Sequence, residues 1–246
     1  MDTTDLKARM NTKVQALAER EPDTSQYLAL TGNALELIRE NLKHQPLSFQ
    51  LFDMVKSPSG GSTVFSVPGL SGEEAEKELT GIILDYTTPR AYWATSDPVE
   101  GMPPTCLSKD SLISQDGKAC AHCPFNDFGS KDGDSPAKAC KESVLLFLLR
   151  PGSVFPLLVR VPVTSKKIFL KYTTRLISRM TPLSSVVTKI TLEKATSREG
   201  KPYALFHFDV VQTLDQGTAA KAKEFGRQFM EFVNAADVEP VFTQAS

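Results

Sequence analysis

The sequence has no apolar run near the roughly 20 residues that cross a bilayer. Its longest, SVLLFLLR at 143–150, is strand-sized. The opening MDTTDLKARMNTK has neither an apolar core nor a small-residue cleavage site, so it does not read as a secretory signal. Nucleotide and hydrolase signatures are missing too: no GxxxxGK[ST], no GxGxxG and no GxSxG. Histidine is scarce, with His44, His122 and His207 in unrelated contexts. No acid, base and nucleophile assemble in any pattern, and the expectation is a protein that is not an enzyme. Cysteine is scarce as well, but its four copies all fall between 106 and 140. With no export signal, a cytoplasmic, reducing setting is expected, where such a set serves metal binding more often than disulfides.

What is present is an ordinary globular composition, 41% hydrophobic and 23% charged, with net charge −1. The charge is unevenly spread. Between Lys141 and Leu205, twelve Lys and Arg face three acids, a local balance of +9. A basic surface of that kind suits an anionic partner.

Periodicity divides the chain into an amino-terminal helical segment (1–46), a β-rich domain (47–214) and a carboxy-terminal helix and tail (215–246). Leu6, Met10, Val14 and Leu17 recur at helical spacing, and YLALTGNALELIRENLKH repeats the pattern until Pro46 stops it. LSFQLFDMVK and TVFSVPG then alternate as strands around SPSGGS, a turn rather than a phosphate loop. SGEEAEKEL reads as an acidic connector with Ser71 capping a short helical turn. Residues 79–95 form a long bent strand, or two short ones, broken at Pro89. Residues from about 97 to 141 break every periodicity and hold all four cysteines. SVLLFLLR and FPLLVRVPV are strands, and TSKKIFLKYTTRLISRM is a helix capped by Thr164 or Ser165. A hairpin follows with arms at 186–193 and 203–211, then a helix with Phe225, Phe229, Phe232 and Val233 on one side. Five strands with a helix between the third and fourth is the order of an OB-fold, in a mainly β, α+β chain. An SH3-like barrel or an unrelated α+β sheet gives a similar string.

The cysteines are spaced Cys106, Cys120, Cys123 and Cys140, and CAHC places two thiols on one tight knuckle. Four thiolates around one ion are a structural zinc set, with sulfurs at about 2.3 Å and no open position for catalysis. Alternatives are a redox CxxC, which lacks the surrounding βαβ pattern, two disulfides, or His122 replacing one cysteine. On the helix, Lys167, Lys171 and Arg175 recur every four residues. On the hairpin, Lys189, Lys194, Arg198, Lys201 and Tyr203 face outward or lie at the tip, while Ile190, Leu192, Phe206 and Phe208 face inward. Tyr86, Tyr92 and Trp93 lie on the first barrel strand, where OB-folds stack bases. The bland reading makes the stripe a solvated face and Trp93 core.

RAYW, PPTCLSKD, CAHCPFNDFGS, AKACKES and LFLL together resemble a set of phage and mobile-element proteins sharing a C…CxxCPxNxFGS…KAC signature. The architecture is similar to the zinc-bearing OB domain of the large subunit of replication protein A and to zinc-containing single-stranded DNA-binding proteins of phages, over about 47–214. The resemblance implies that Cys106, Cys120, Cys123 and Cys140 hold zinc and that barrel aromatics and hairpin lysines face DNA. It implies largely sequence-independent binding of single-stranded DNA in replication or recombination, with replication or recombination proteins as further partners and no membrane. The tail DVEPVFTQAS carries only Asp237 and Glu239, so it departs from the acidic recruiting tail of housekeeping single-strand binders. A zinc-stabilised protein-interaction module is the alternative.

Overall fold

The computed structural model describes residues 26–43, 45, 51–55, 58–95, 102–131, 136–197 and 200–235. The first amphipathic segment, with Leu6 to Leu17, lies outside them, as do LSFQ (47–50), Arg198 and the acidic positions of the tail. Two helices open the described chain, α1 (Leu28–Thr31) and α2 (Ala34–Leu42). Strands β1 (Met54–Val55), β2 (Phe65–Gly69), β3 (Gly72–Glu76), β4 (Glu78–Thr87), β5 (Arg90–Tyr92) and β6 (Cys106–Ser108) follow. After the cysteines come β7 (Lys141–Leu149), β8 (Leu157–Pro162), α3 (Val163–Ile177), β9 (Val186–Thr196), β10 (Pro202–Thr213) and α4 (Gln216–Ala235).

One strand organises the sheet. β4 pairs with β9 over Glu78 to Ile82 and with β7 over Ile82 to Thr87. Gly81 sits at this change of partner, and a Cβ there would lie 2.4 Å from the Leu149 carbonyl oxygen. Only a residue without a side chain lets the backbones pass so closely. A bulge between Ile83 and Asp85 adds to the bend.

The resulting order is β1-β8-β7-β4-β9-β10, with β1 parallel to β8 and the other neighbours antiparallel. Strands from both ends of that order meet in one cluster: Val159 and Val161 of β8, and Phe206 and Phe208 of β10. The sheet is therefore curled. Phe169, Tyr172 and Leu176 of α3 fill its hollow, and Phe65 meets Phe206 edge-on at 5.7 Å. Among the described residues, β8 and β10 do not pair, so the curl stays open. Buried Tyr172 satisfies its hydroxyl on Thr188 Oγ1 at 2.8 Å. The other face carries Ile82, Phe147 and Leu158 under Ile38, Phe225 and Phe229 of the terminal helices. Burying each such side chain contributes roughly 1.5–3 kcal/mol. The protein is thus mainly β, an α+β fold whose curled sheet holds α3 in its hollow and the terminal helices on its other face.

Two local expectations are corrected. Gly72–Glu76 is a strand, not a connector capped by Ser71; it pairs with β2 through a two-residue turn, Leu70–Ser71. Gly72, at φ +124°, supplies the backbone geometry that this turn requires. Helix α3 starts at Val163 with Pro162 before it, so neither Thr164 nor Ser165 caps it. Ser165 is buried and its hydroxyl accepts the Phe206 N–H at 3.0 Å, tying α3 to β10.

Candidate metal centre and its surroundings

Pro89 ends the β4 line, and β5 pairs with β6 and with the start of β7. This small sheet is the base of the cysteine lobe. It sets Cys106 opposite Tyr92 and leaves Cys140 one residue before β7. The knuckle is two consecutive 3-10 turns, Cys120–His122 and Pro124–Asn126. Cys123 N–H donates to the Cys120 carbonyl at 3.3 Å, and Cys140 N–H donates to the Phe125 carbonyl at 2.8 Å. Asn126 closes the knuckle by donating from Nδ2 to the Cys120 carbonyl at 3.0 Å. Ser130 Oγ donates toward Asp127 O and accepts Ala139 N–H at 3.0 Å. Asn126 and Ser130 are two of the polar members of CPFNDFGS, and both serve the shape of this loop.

All four cysteines are unpaired thiols and line one cavity of about 620 Å3, together with Arg90, Ser114, Asp116 and His122. Among the described residues, no group of three or more His, Cys, Asp or Glu side chains is assembled as a metal site as it stands. The thiols nonetheless act on one another. Burial pushes Cys140 up to about 12; the Arg90 guanidinium opposes that rise, and the other three cysteines add to it. Cys106 is raised first by burial, then by Asp116, against a hydrogen bond from Ser114. Four thiols facing one cavity cannot all ionise unless a cation compensates them. That donor set fits a zinc ion.

Arg90 ties the lobe to the sheet. It is only 9% exposed. Its Nε donates to Ser111 Oγ at 3.3 Å, its Nη2 to Glu142 Oε2 at 3.0 Å, and its Nη1 to Asn126 Oδ1. Glu142 also pairs with Lys166 of α3, and Lys138 Nζ reaches Asn126 Oδ1 at 3.0 Å. One guanidinium thus joins the knuckle, the sheet and, through Glu142, the helix. Sequence reasoning passed over Arg90; the available signal was a cation inside the strand pattern YTTPRAYW.

The expected nucleic-acid contacts separate into groups. Lys167, Lys171 and Arg175 are exposed on α3. Lys194 and Lys201 are exposed toward the hairpin tip, Lys189 pairs with Glu78 at 3.8 Å, and Tyr203 is half-buried. Lys171 and Arg175 share a groove with Thr191, Glu193, His207 and Asp209, where His207 pairs with Glu193 at 2.8 Å. The first-strand aromatics are spent on packing. Tyr86 meets Phe169 edge-on at 4.9 Å. Trp93 is 8% exposed beside Ala91 and Leu107, and its Nε1 donates to the Met102 carbonyl at 3.0 Å. Tyr92 stacks on Phe125 at 3.9 Å. The free ring is on the lobe: Phe128 is 82% exposed, with Lys138 Nζ 4.6 Å from its centre.

No protein-family model, curated protein or solved structure matches the chain. Among the described residues, no helix is long and apolar enough to cross a membrane.

Proposed function

We propose that this chain is a cytoplasmic single-stranded DNA-binding protein on an OB-fold stapled by a structural zinc, serving phage or mobile-element replication or recombination. The observation that carries the reading is the strand order. Taking β4, β7, β8, β9 and β10 as barrel strands one to five, one pairs with two and four, two with three, and four with five. The helix α3 follows strand three, and the cysteine lobe is inserted between strands one and two. That string is the OB-fold's. Cys106, Cys120, Cys123 and Cys140 would hold the zinc, whose chemistry here is to compensate four thiolates and so fix the loop.

The exposed cations of α3 and the hairpin, Lys167, Lys171, Arg175 and Lys194 among them, support binding through phosphates, with little dependence on base identity. Fluorescence anisotropy with a labelled oligo-dT tests the reading, and an absence of salt-sensitive binding at micromolar protein overturns it. One observation favours the alternative of a protein-interaction module. Val163, Leu170 and Ile177, spaced by seven on α3, are exposed. Capture of a replication or recombination protein that survives nuclease treatment and an Ile177→Asp change speaks against that alternative surface.

A further inference from the structure

Alternation puts every second residue of β10 on one face, beside its direct partners on β9. His207 stands opposite Thr191, and Asp209 opposite Lys189. Two residues beyond Thr191, Glu193 brings Oε2 to 2.8 Å from His207 Nε2. The two groups are within ion-pair distance but not aligned as a hydrogen bond. Nε2 is buried with no hydrogen-bond partner among the described residues. The Glu193 side chain beside it is 68% exposed, so it can swing aside.

Helix α3 supplies the facing wall. Lys171 and Arg175, one turn apart, line the same groove of about 370 Å3 as Thr191, Glu193, His207 and Asp209. Tyr172, the remaining titratable group of that groove, is spent on Thr188. Lys189, across from Asp209, is shared with Glu78 at 3.8 Å. Charge decides what the groove can hold. With a neutral ring, its two cations face two carboxylates, and an anion gains nothing on balance. A proton on His207 tips the groove positive, and histidine is the side chain that changes charge between about pH 5 and pH 8. The anion that a single strand brings to Lys171 and Arg175 is a phosphodiester.

We propose that a backbone phosphate of single-stranded DNA enters this groove, takes the place of Glu193 beside His207, and is held there by Lys171, Arg175 and the protonated ring. The inference rests on the single-strand-binding reading and adds a histidine that the reading does not use. A phosphate beside an imidazole favours the charged ring, so binding takes up a proton from solvent. By the same linkage, affinity rises as pH falls through the histidine range.

The test uses the full zinc-loaded chain and a labelled oligo-dT, read by anisotropy from about pH 8 to about pH 6 at fixed salt. Affinity of the unaltered chain should rise about tenfold over that range, within the limit that one linked proton sets. His207→Gln should lie flat. That variant keeps His44 and His122, so a pH dependence that persists in it belongs elsewhere. Glu193→Gln should bind about threefold tighter at about pH 8, whereas loss of a merely structural contact would weaken binding. Calorimetry of the unaltered chain in two buffers of different ionisation heat counts the protons without any variant. About half a proton or more should be taken up per bound chain near neutral pH. If the unaltered chain binds without proton uptake, or His207→Gln keeps the pH dependence, or Glu193→Gln fails to tighten binding, the site is overturned and the function stands. If the unaltered chain does not bind, both fall together.

Discussion

Replacing Arg90 by alanine is the most informative single change to the lobe. The guanidinium is nearly buried and joins Ser111, Asn126 and Glu142. Removing one partner of a buried pair costs about 3–5 kcal/mol when the other is left alone. Here Glu142 keeps Lys166, and Asn126 keeps Lys138, so the loss belongs at the lower end, about 3 kcal/mol. That is a large part of a domain stability of roughly 5–15 kcal/mol. A second effect falls on the thiols. Arg90 is the charge that opposes the upward shift of Cys140. Without it the thiolate is harder to form, and zinc affinity should drop about 10–100-fold, as for other outer-shell partners of metal ligands. Urea unfolding reads the first effect, and competition with a chelating dye reads the second. Arg90→Lys should recover little, because an ammonium cannot span three acceptors in one plane. A double-mutant cycle with Glu142→Gln should give a coupling of about 1–3 kcal/mol. A cost below about 0.5 kcal/mol together with unchanged zinc affinity would refute the view that this network holds the lobe to the sheet.

Other expectations follow from single contacts. Gly81→Ala puts a methyl against the Leu149 carbonyl, where backbone must move, and should destabilise by about 2–4 kcal/mol in chemical denaturation. Tyr172→Phe leaves Thr188 Oγ1 buried without its partner and should cost about 1–2 kcal/mol by the same measurement. Burial pushes Tyr27 up to about 12. Its folded state therefore holds the proton more tightly than the unfolded chain, and that stability is complete below about pH 10 and lost as pH rises toward 12. Tyr27→Phe should flatten this alkaline fall in the melting temperature. Zinc binding should release protons, because Cys106 and Cys140 have raised pKa values without an ion; a pH-stat titration reads the release, and chelation should reverse it.

Much of the curled sheet was legible because its signals were strong and local. The continuous apolar run of SVLLFLLR could only be a strand covered on both faces, and β7 feeds both clusters. Pro89 marked the break between β4 and β5 correctly, since it ends one ladder and starts another. The same double burial hid the role of Tyr86. On a strand apolar on both sides, alternation does not say which ring remains free. β3 escaped because its glutamates look like a solvated connector, whereas the GLSG turn decides the structure. The lobe was recognisable as a cysteine loop, but the use of Arg90 depends on contacts across 36 and 52 residues, to Asn126 and Glu142. No local pattern carries those.

The account stands or falls on one titration of the zinc-loaded chain with oligo-dT at 50 and 200 mM salt. If α3 and the hairpin together engage about four phosphates, affinity should fall about 50-fold between the two conditions, at about 0.7 per phosphate. Mixed-sequence single strands should bind nearly as well, and duplex DNA of the same length should bind more weakly. Micromolar protein that leaves the anisotropy unchanged at 50 mM salt, or binding that ignores salt altogether, contradicts the account.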